Sequence, residues 1–425
     1  MQLIADLKAR GLIQDIMPGT EEQLQKEMTA GYIGFDPTAD SLHVGSLLPI
    51  TLLMRLQRAG HKPIALVGGA TGMIGDPTGK SAERNLLDME TLQKNCDGIR
   101  KQLEKFLDFD AAKPNAAEMV NNYDWLKDYT FLDFIRDIGK HITINYMISK
   151  DSVQKRMEHG LSFTEFTYQL IQGYDFYYLN KEKNVKLQMG GADQWGNIVT
   201  GTELIRRKGK SEGFAFTGPL ITKSDGSKFG KSEGGNIWLD PALTSPFQFY
   251  QFWIKLPDAD AERMAYTFSF KEVSEIEALI AKHRDAPYLR LLQKELAEEL
   301  TILVHSAEDL AFAQKASGIL FGNSAIEDLL ALNEKQLLEA MEGVPTVNSS
   351  KSVLNADFDL VSFLAEHNIY KSKGEARKAV QANGFSINKE KVKSIEYKIQ
   401  EAHLLNGKYL LAQTGKSNYI LVIFE

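Results

Sequence analysis

In the first half of the chain, short apolar runs alternate with longer stretches whose hydrophobic residues have helical spacing. Tyr32–Pro37, Ile64–Val67 and Val185–Met189 are apolar runs of strand length. A helix is predicted over Val44–Arg58 after the first run, and another from about Ala192 after the third. Strands that lead through a loop into a helix indicate an α/β fold with a doubly wound, parallel, Rossmann-like sheet. Such sheets bind ligands at the carboxyl ends of their strands.

The pattern changes twice along the rest of the chain. After about Thr244 it becomes helical, and the mostly polar segment Val344–Ser352 is predicted to be a linker. The last part is expected to form a helix and then short strands. We therefore predict a Rossmann-like domain over 1–222, a loop and helical domain over 223–343, a linker over 344–352 and a small α+β module over 353–425.

The composition is that of an ordinary globular protein, with 43% hydrophobic and 25% charged residues among 425. The single cysteine, Cys96, excludes an internal disulfide and a metal site built from several cysteines, and it favours a reducing compartment. No apolar run reaches the roughly 20 residues that span a bilayer. Met1–Met17 is charged and lacks a cleavage-site pattern. We expect a cytoplasmic protein with no membrane partner.

Charge is distributed unevenly. The formal net charge is −7, but residues 371–416 contain ten Lys and Arg against four Asp and Glu. A basic module attached to an acidic body favours a polyanionic partner for the C-terminal region. A solvated helix face is the alternative.

The segment Phe35–Ser46 lies between a predicted strand and a predicted helix. Helix N-termini present free N–H groups and positive partial charge, which suit phosphate. His43 can donate to a phosphate or ribose oxygen, and Gly45 lets a flat base approach the backbone. An N-cap followed by a tight helix start would explain the same residues without a ligand.

The segment Lys223–Ser232 is rich in glycine, serine and lysine, which is typical of a surface loop. Lys228 and Lys231 are three residues apart and can converge on a triphosphate that becomes more negative during displacement. A solvated loop without a ligand is the alternative.

The glycine-rich segment Gly68–Pro77 follows a predicted strand. Its glycine spacing is not that of the dinucleotide-binding fingerprint. Asp76 is available for an amine, and Lys80 and Arg84 are spaced to meet on one helical face. Glycine packing beside an exposed basic helix start is the alternative.

The segment Ser162–Asp175 is predicted to be a helix whose residues Tyr168, Gln172 and Asp175 share one face. That face is polar, while its aromatic neighbours suggest burial. Buried polar groups need partners, and a ligand with an amine and a hydroxyl would supply them. A helix with one solvated stripe is the alternative.

Taken in this order, the segments resemble the class I aminoacyl-tRNA synthetases, most specifically the bacterial tyrosyl enzymes. The resemblance covers essentially the whole chain and is most specific in Gly34–Gly45, Gly68–Pro77, Ser162–Asp175 and Gln188–Asn197. It implies activation of L-tyrosine by ATP with Mg²⁺, followed by transfer of the tyrosyl group to the 3′ end of tRNA(Tyr). It also implies a homodimer, with the segment around Phe163 near the contact, and no tightly bound metal.

The resemblance implies a role for each matching residue. The tyrosine-binding residues would be Tyr32 and Asp175 at the phenol, Tyr168, Asp76 and Gln172 at the ammonium group, and Gln194 near the carboxylate. The ATP-binding residues would be Asp36, His43, Gly45, Ser46, Gly191, Asp193 and Lys231. The catalytic residues, gathered around the phosphates, would be Thr38, His43, Lys80, Arg84, Lys228 and Lys231.

The C-terminal module resembles an RNA-binding module first seen in a small-subunit ribosomal protein. The residues expected to contact tRNA phosphates there are Lys371, Lys373, Arg377, Lys378 and Lys416.

By the resemblance, His43–Ser46 corresponds to the first signature of the family, usually His-x-Gly-His, and Lys228–Ser232 to the second, usually Lys-Met-Ser-Lys-Ser. The chain departs from these signatures at three positions. Ser46 replaces the second histidine of the first signature, although its hydroxyl can still reach a ribose or phosphate oxygen directly or through water. Phe229 and Gly230 replace the methionine and serine of the second signature, but both lysines remain.

Two other functions stay open at this point. The first is a related adenylate-forming enzyme, such as a tryptophanyl enzyme or a nucleotidyltransferase. The second is an RNA-binding protein that kept the synthetase scaffold. Tyr32 together with Asp175 favours a phenol over an indole, and the filled polar positions favour retained catalysis.

Overall fold

The computed structural model describes residues 2–76, 87–150, 153–154, 157, 160–227, 229–232, 235–321, 329–341, 344–354, 358–415 and 418–425, with only the backbone at 231–232 and 320–321. The chain divides into two compact units. Unit 1 comprises Met1–Thr244 and Phe252–His305, and unit 2 comprises Ser245–Gln251 and Ser306–Glu425. Within these described ranges, every helix is too short or too polar to cross a bilayer.

Unit 1 is built on one mainly parallel sheet. Its described strands are β1 (Asp15–Ile16), β2 (Ala30–Phe35), β3 (Lys62–Val67), β4 (Glu118–Asn121), β5 (Val185–Gly191) and β6 (Phe214–Gly218). They lie in the order β1-β6-β5-β2-β3-β4, and only the β1–β6 pair is antiparallel. The predicted fold class is thus confirmed. The order reverses between β2 and β5, which is where such sheets bind ligands.

Helices surround this sheet and continue beyond it. The described ones are α1 (Leu3–Ala9), α2 (Thr20–Lys26), α3 (Leu47–Arg58), α4 (Met89–Leu103), α5 (Tyr123–Leu126), α6 (Phe131–Asp137), α7 (Ile144–Ile148), α8 (Phe163–Lys183), α9 (Trp195–Leu204), α10 (Pro246–Ile254), α11 (Asp258–Phe268), α12 (Val273–Asp285) and α13 (Leu291–Val304). The strands β7 (Lys231–Ser232) and β8 (Gly235–Asn236) pair with each other.

Helix α8 is held in a defined position by its start and by its packing. It begins with a capping box, in which the Ser162 side chain accepts the Glu165 N–H and the Glu165 side chain accepts the Ser162 N–H. It packs closely against α9. The closeness is evident at Gly201, where a Cβ would come within 2.9 Å of the Phe176 Cβ. This packing fixes the direction in which the polar face of α8 points.

Unit 2 combines helices with a five-stranded sheet. Its elements are α14 (Ala307–Phe321), α15 (Glu334–Ala340), β9 (Thr346–Ser349), α16 (Leu360–Glu366), α17 (Lys373–Gln381), β10 (Phe385–Ile387), β11 (Glu390–Lys391), β12 (Tyr409–Thr414) and β13 (Asn418–Phe424). The sheet order is β11-β10-β12-β13-β9. A core that includes Phe363, Val380, Phe385 and Phe424 lies between this sheet and its helices.

The segment 344–352, predicted to be a linker, differs from that prediction because it contains β9. This strand pairs in parallel with β13, the last strand of the chain. Val347 packs against the unit 2 core, while Thr346 and Asn348 are exposed. Backbone hydrogen bonds to a neighbouring strand depend little on side-chain type, so a polar segment can join a sheet edge. The predicted boundary at 343 lies within Ser306–Glu425, all of which belongs to unit 2.

Candidate active site

The candidate site lies at the carboxyl ends of β2, β3 and β5 in unit 1. Asp36 follows β2, Gly68 follows β3, and Gly191 ends β5. Strand β2 is otherwise buried, but its residue Gly34 is exposed to solvent. Since the strands of a parallel sheet are normally covered on both faces, an exposed residue in a central strand indicates an open cleft.

Tyr32 and Asp175 form the deepest part of this cleft. Their exposed fractions are 1% and 2%. The Asp175 carboxylate accepts two hydrogen bonds, from Asn122 Nδ2 at 3.0 Å and from Trp125 Nε1 at 2.9 Å. The Tyr32 hydroxyl has no hydrogen-bond partner among the described residues. A buried hydroxyl without a partner is costly, so it indicates a place where a ligand completes the bonding.

The electrostatics of this pair favour a neutral hydrogen-bonding partner. Burial raises the pKa of Asp175 to about 7, against the hydrogen bonds from Asn122 and Trp125, which lower it; the nearby charge of Asp36 raises it further. Burial, with a smaller contribution from the Asp175 charge, raises the pKa of the Tyr32 hydroxyl. Tyr32 therefore stays a neutral hydroxyl, able both to donate and to accept.

Asp36, expected to seat the adenosine, is joined to the tyrosine-binding residues. Its Oδ2 accepts the hydroxyl of Tyr168 at 2.8 Å, and its Oδ1 accepts the hydroxyl of Thr71 at 2.8 Å. A Cβ on Gly68 would come within 2.3 Å of Asp36 Oδ1. Glycine at 68 is therefore required for this arrangement.

A chain of amide side chains borders the next part of the cleft. Gln194 Nε2 donates to Asp76 Oδ2 at 2.6 Å, and Asn197 Nδ2 donates to Gln172 Oε1 at 3.0 Å and to Gln194 Oε1 at 3.4 Å. The Asp76 carboxylate and the amide oxygens of Gln172 and Gln194 lie along this hydrogen-bonded chain, and acceptors of this kind suit an ammonium group. Tyr168, Gln172 and Asp175 all belong to α8.

The first signature forms the start of α3. His43 caps a short 3₁₀ helix over Val44–Ser46, and its Nδ1 accepts the Gly45 N–H at 3.0 Å. A neutral imidazole that accepts at Nδ1 carries its proton on Nε2, so that nitrogen is a donor. A Cβ on Gly45 would come within 2.7 Å of the His43 ring, so position 45 has room only for glycine.

The chain segment of the second signature runs beside the first. The Val44 N–H donates to the Ile237 carbonyl at 2.8 Å, and the Ile237 N–H donates to the Gly230 carbonyl at 3.0 Å. Gly230 has a φ of +84°, and a Cβ there would come within 3.1 Å of the Gly45 backbone nitrogen. Both signatures therefore occupy one edge of the cleft.

The remaining residues expected at the site fall into two groups, those that the structure describes and those that lie outside its described part. Thr38 and Asp193 are exposed, Ser46 is half-buried at the start of α3, and a Cβ on Gly191 would come within 2.7 Å of Asp193 Oδ1. The predicted residues that lie outside the described part of the chain are Lys80, Arg84, Lys228 and Lys416, together with the side chain of Lys231. Among the described residues, no group of three or more His, Cys, Asp or Glu side chains could hold a metal ion.

Sequence analysis missed four polar contributors to the cleft. They are Thr71, Asn122, Trp125 and Asn197. Asn122 and Trp125 follow β4, so recognition of Glu118–Asn121 as a strand would have placed polar residues at the correct edge of the sheet. Strand β4 is only four residues long and half-buried, which leaves a weak pattern.

Four exposed basic residues of unit 2 lie on or just before helix α17 and form its basic face. Lys371, Lys373, Arg377 and Lys378 are all exposed, while Ala376 and Val380 of the same helix α17 are buried in the core. Ser372 caps the helix by accepting the Glu375 N–H. Lys371 precedes the helix, and Lys373, Arg377 and Lys378 lie in its first two turns. The free N–H groups of the first turn add to the positive potential at this end of the helix.

Comparison with known proteins identifies two family matches. The family described as tRNA synthetases class I (W and Y) matches residues 24–322. The tyrosine–tRNA ligase SYY-like C-terminal domain matches residues 336–422.

Individual relatives match over the full length. The tyrosine–tRNA ligase of Bacteroides thetaiotaomicron is 58% identical, with 100% of both chains covered, and that of Flavobacterium johnsoniae is 58% identical, with 99% of both covered. A truncated mitochondrial tyrosyl-tRNA synthetase of Aspergillus nidulans superposes with a TM-score of 0.65 at 31% identity, covering 73% of this chain and 92% of that one.

Proposed function

The chain belongs to the class I tRNA synthetases, in the branch that acts on tyrosine, and we propose from this membership a role for each part of its cleft. The reaction of the family joins tyrosine to tRNA with ATP as the second substrate. The predicted family and activity are thereby confirmed.

The substrate phenol binds between Tyr32 and Asp175. The observation that carries this proposal is the buried Tyr32 hydroxyl, which lacks a partner among the described residues. The substrate hydroxyl donates to the Asp175 carboxylate and accepts from Tyr32. Phenylalanine would leave both buried groups unpaired. That loss gives discrimination of roughly 10⁴–10⁵-fold, a magnitude for which enzymes of this family are themselves the standard example.

The substrate ammonium binds near Asp76, Tyr168 and Gln172, with Gln194 toward the carboxylate. The oxygens of Asp76 and Gln172 already belong to one hydrogen-bonded chain. A positive group entering there gains several acceptors without reorganisation of the pocket.

ATP, accompanied by Mg²⁺ as part of the substrate, binds along the two signatures. The adenosine and ribose contacts are Asp36, Gly45, Ser46, Gly191 and Asp193, and the phosphate contacts are Thr38, His43, Lys80, Arg84, Lys228 and Lys231. The tyrosine carboxylate, ionised at neutral pH, attacks the α-phosphorus and pyrophosphate leaves. No general base is needed. The protein positions the two reactants and supplies cations where charge increases.

The exposed basic face of α17 binds tRNA phosphates through Lys371, Lys373, Arg377 and Lys378, with Lys416 as a further contact. Their exposure and common face support this role. On this view residues 1–222 hold the adenylate chemistry, 223–343 carry the second signature and helices, and 353–425 bind RNA.

A second copy of the chain covers an exposed apolar surface of unit 1. The side chains that form it are Phe131, Leu132, Ile135, Ile144 and Phe163, each between 46% and 77% exposed. The rings of Phe131 and Phe163 contact each other edge to face, with centroids 6.5 Å apart. Exposed apolar groups in one place indicate an interface. A homodimer in the cytoplasm, where tRNA and ATP are present, is the form we propose.

The test is tyrosine-dependent exchange between ATP and pyrophosphate, measured against a panel of amino acids that includes phenylalanine and tryptophan. Exchange with tyrosine alone is expected. Equal exchange with tryptophan would refute the phenol assignment. RNA binding without any exchange would favour a scaffold that has lost catalysis.

A further inference from the structure

The backbone just before the second signature is attached to helix α11 by a buried ionic contact. The residues that form this contact are not among those proposed for adenylate formation. Asp260 lies in the first turn of α11, and its side chain is 1% exposed. Its Oδ1 accepts the backbone N–H of Ser224 at 2.9 Å, and its Oδ2 accepts the Ser224 hydroxyl at 3.3 Å. A buried carboxylate is costly unless it is fully paired, so its contacts are strongly specified.

Arg263, one turn further along α11, completes the contact. One guanidinium nitrogen, Nη2, donates both to Asp260 Oδ1 at 2.9 Å and to the carbonyl of Thr222. The two α11 side chains therefore hold the backbone on both sides of Lys223. All of these residues belong to unit 1.

The residues after this contact form a compact turn. The Lys223 N–H donates to the Ser227 carbonyl at 2.8 Å, the Gly226 N–H donates to the Lys223 carbonyl at 2.9 Å, and Asp225 accepts the Ser227 N–H at 2.8 Å. Gly226 has a φ of +81°, which glycine adopts without strain. Lys228 is the next residue in the chain.

The far end of α11 contacts the same segment. Phe229, at the position where the family usually has methionine, is 5% exposed and lies against Phe252, Trp253 and Phe268, with ring centroids 5.4, 5.7 and 6.3 Å away. Phe268 is the last residue of α11. One helix therefore contacts the chain before Lys228 through Asp260 and after Lys228 through Phe268.

We propose that Asp260 and Arg263 act as positioning residues in adenylate formation. They hold the backbone that precedes Lys228, and they thereby set the position from which Lys228 and Lys231 reach the phosphates. This proposal rests on the assignment of those lysines to ATP. Neither residue is among those proposed above to contact a substrate. A displacement of about 1 Å in a group that meets the transition state can cost about 10²-fold in rate. The tyrosine pocket, built on α8 and β2, is independent of this contact.

The experiment compares Asp260→Asn with Asp258→Asn in the full-length chain. Both replacements remove a carboxylate from the first turn of α11, but Asp258 contacts Gln293 and His283 and not the signature segment. Single-turnover rates of tyrosyl-adenylate formation, tyrosine dissociation constants and melting temperatures are measured. Asp260→Asn is expected to slow the chemical step about 10- to 100-fold with unchanged tyrosine affinity. Asp258→Asn is expected to leave that rate unchanged.

Arg263→Gln and Ser224→Ala keep the test decisive if Asp260→Asn does not fold, because Arg263 is half-exposed and Ser224 is exposed. Each should slow the same step by a smaller factor. Full rates in Arg263→Gln and Ser224→Ala would overturn the proposal. So would equal losses in Asp258→Asn and Asp260→Asn, or a parallel loss of tyrosine affinity. Absence of tyrosine-dependent exchange in the unmodified enzyme would instead refute the proposed function.

Discussion

The proposed phenol site and the basic face of α17 differ most clearly in burial. Tyr32 and Asp175 are 1% and 2% exposed, and Asn122 and Trp125 hold the carboxylate in place. The four described cations near the start of α17 are exposed. Buried hydrogen-bonding groups penalise a ligand that fails to match them, whereas exposed cations attract any phosphate backbone. On the proposed roles, burial gives selectivity for tyrosine, and surface charge gives affinity for RNA.

The largest effect is expected from truncation of the chain, which should separate tRNA charging from adenylate formation. A chain ending at Gly343 lacks β9 and the hydrophobic cluster around Phe363 and Phe385, whose buried members all lie within 358–424. Its charging of tRNA should fall by ~10³-fold or more at physiological salt, since most phosphate contacts are lost. Tyrosine-dependent pyrophosphate exchange should remain close to that of the full chain. Normal charging by the truncated chain would mean that the RNA anchor lies elsewhere.

Tyr32→Phe tests the buried region alone. Discrimination between tyrosine and phenylalanine, measured as the ratio of kcat/KM values, should fall by about 10- to 100-fold, as expected for one buried hydrogen bond. Because the hydroxyl has no described partner in the protein, its removal should leave the melting temperature unchanged or raise it. Unchanged discrimination would exclude Tyr32 from phenol recognition, and a large drop in stability would indicate a structural role.

Charge reversal on α17 tests the exposed region alone. Arg377→Glu and Lys378→Glu should each weaken tRNA binding and flatten its dependence on salt, with the slope of log affinity against log salt falling by about 1. Tyrosine affinity should not depend on salt or on these residues. Lys282→Glu, at an exposed lysine of unit 1, is the matched control. A salt slope unchanged by the α17 variants would favour a solvated helix face.

The last prediction concerns the pH dependence that the buried Asp175 carboxylate gives to stability, in the absence of any ligand. Asp175 has a folded-state pKa of about 7, above the usual value of 3.8. Its stabilising contribution is therefore fully present below about pH 4 and is lost as pH rises toward 7. Asp175→Asn removes this dependence. The melting temperature of the variant relative to the unmodified protein should increase between pH 4 and 7 and level off above. A difference that stays constant with pH would place the titration elsewhere.

Much of the site could be predicted because its residues lie in short segments with strong local signals. The i, i+4, i+7 spacing of Tyr168, Gln172 and Asp175 is a property of one helix, and α8 contains all three. Asn122 and Trp125 were missed, because the preceding strand β4 has a weak pattern and the two residues contact Asp175 across about 50 residues of chain. No local pattern records such a pairing. The hydrogen bond from Tyr168 to Asp36 was missed for the same reason.

The sequence by itself determined the parallel α/β class, the tyrosine-specific family and the order of the two signatures, because hydrophobic periodicity and short motifs are local. Only the tertiary structure decided that 344–352 contributes a strand, that Tyr168 hydrogen-bonds to Asp36, and that α11 contacts the chain before and after Lys228. Each of these depends on hydrogen bonds or ring contacts between residues far apart in the chain. Such contacts are selected by the packing of whole elements, which outweighs the preference of any single segment.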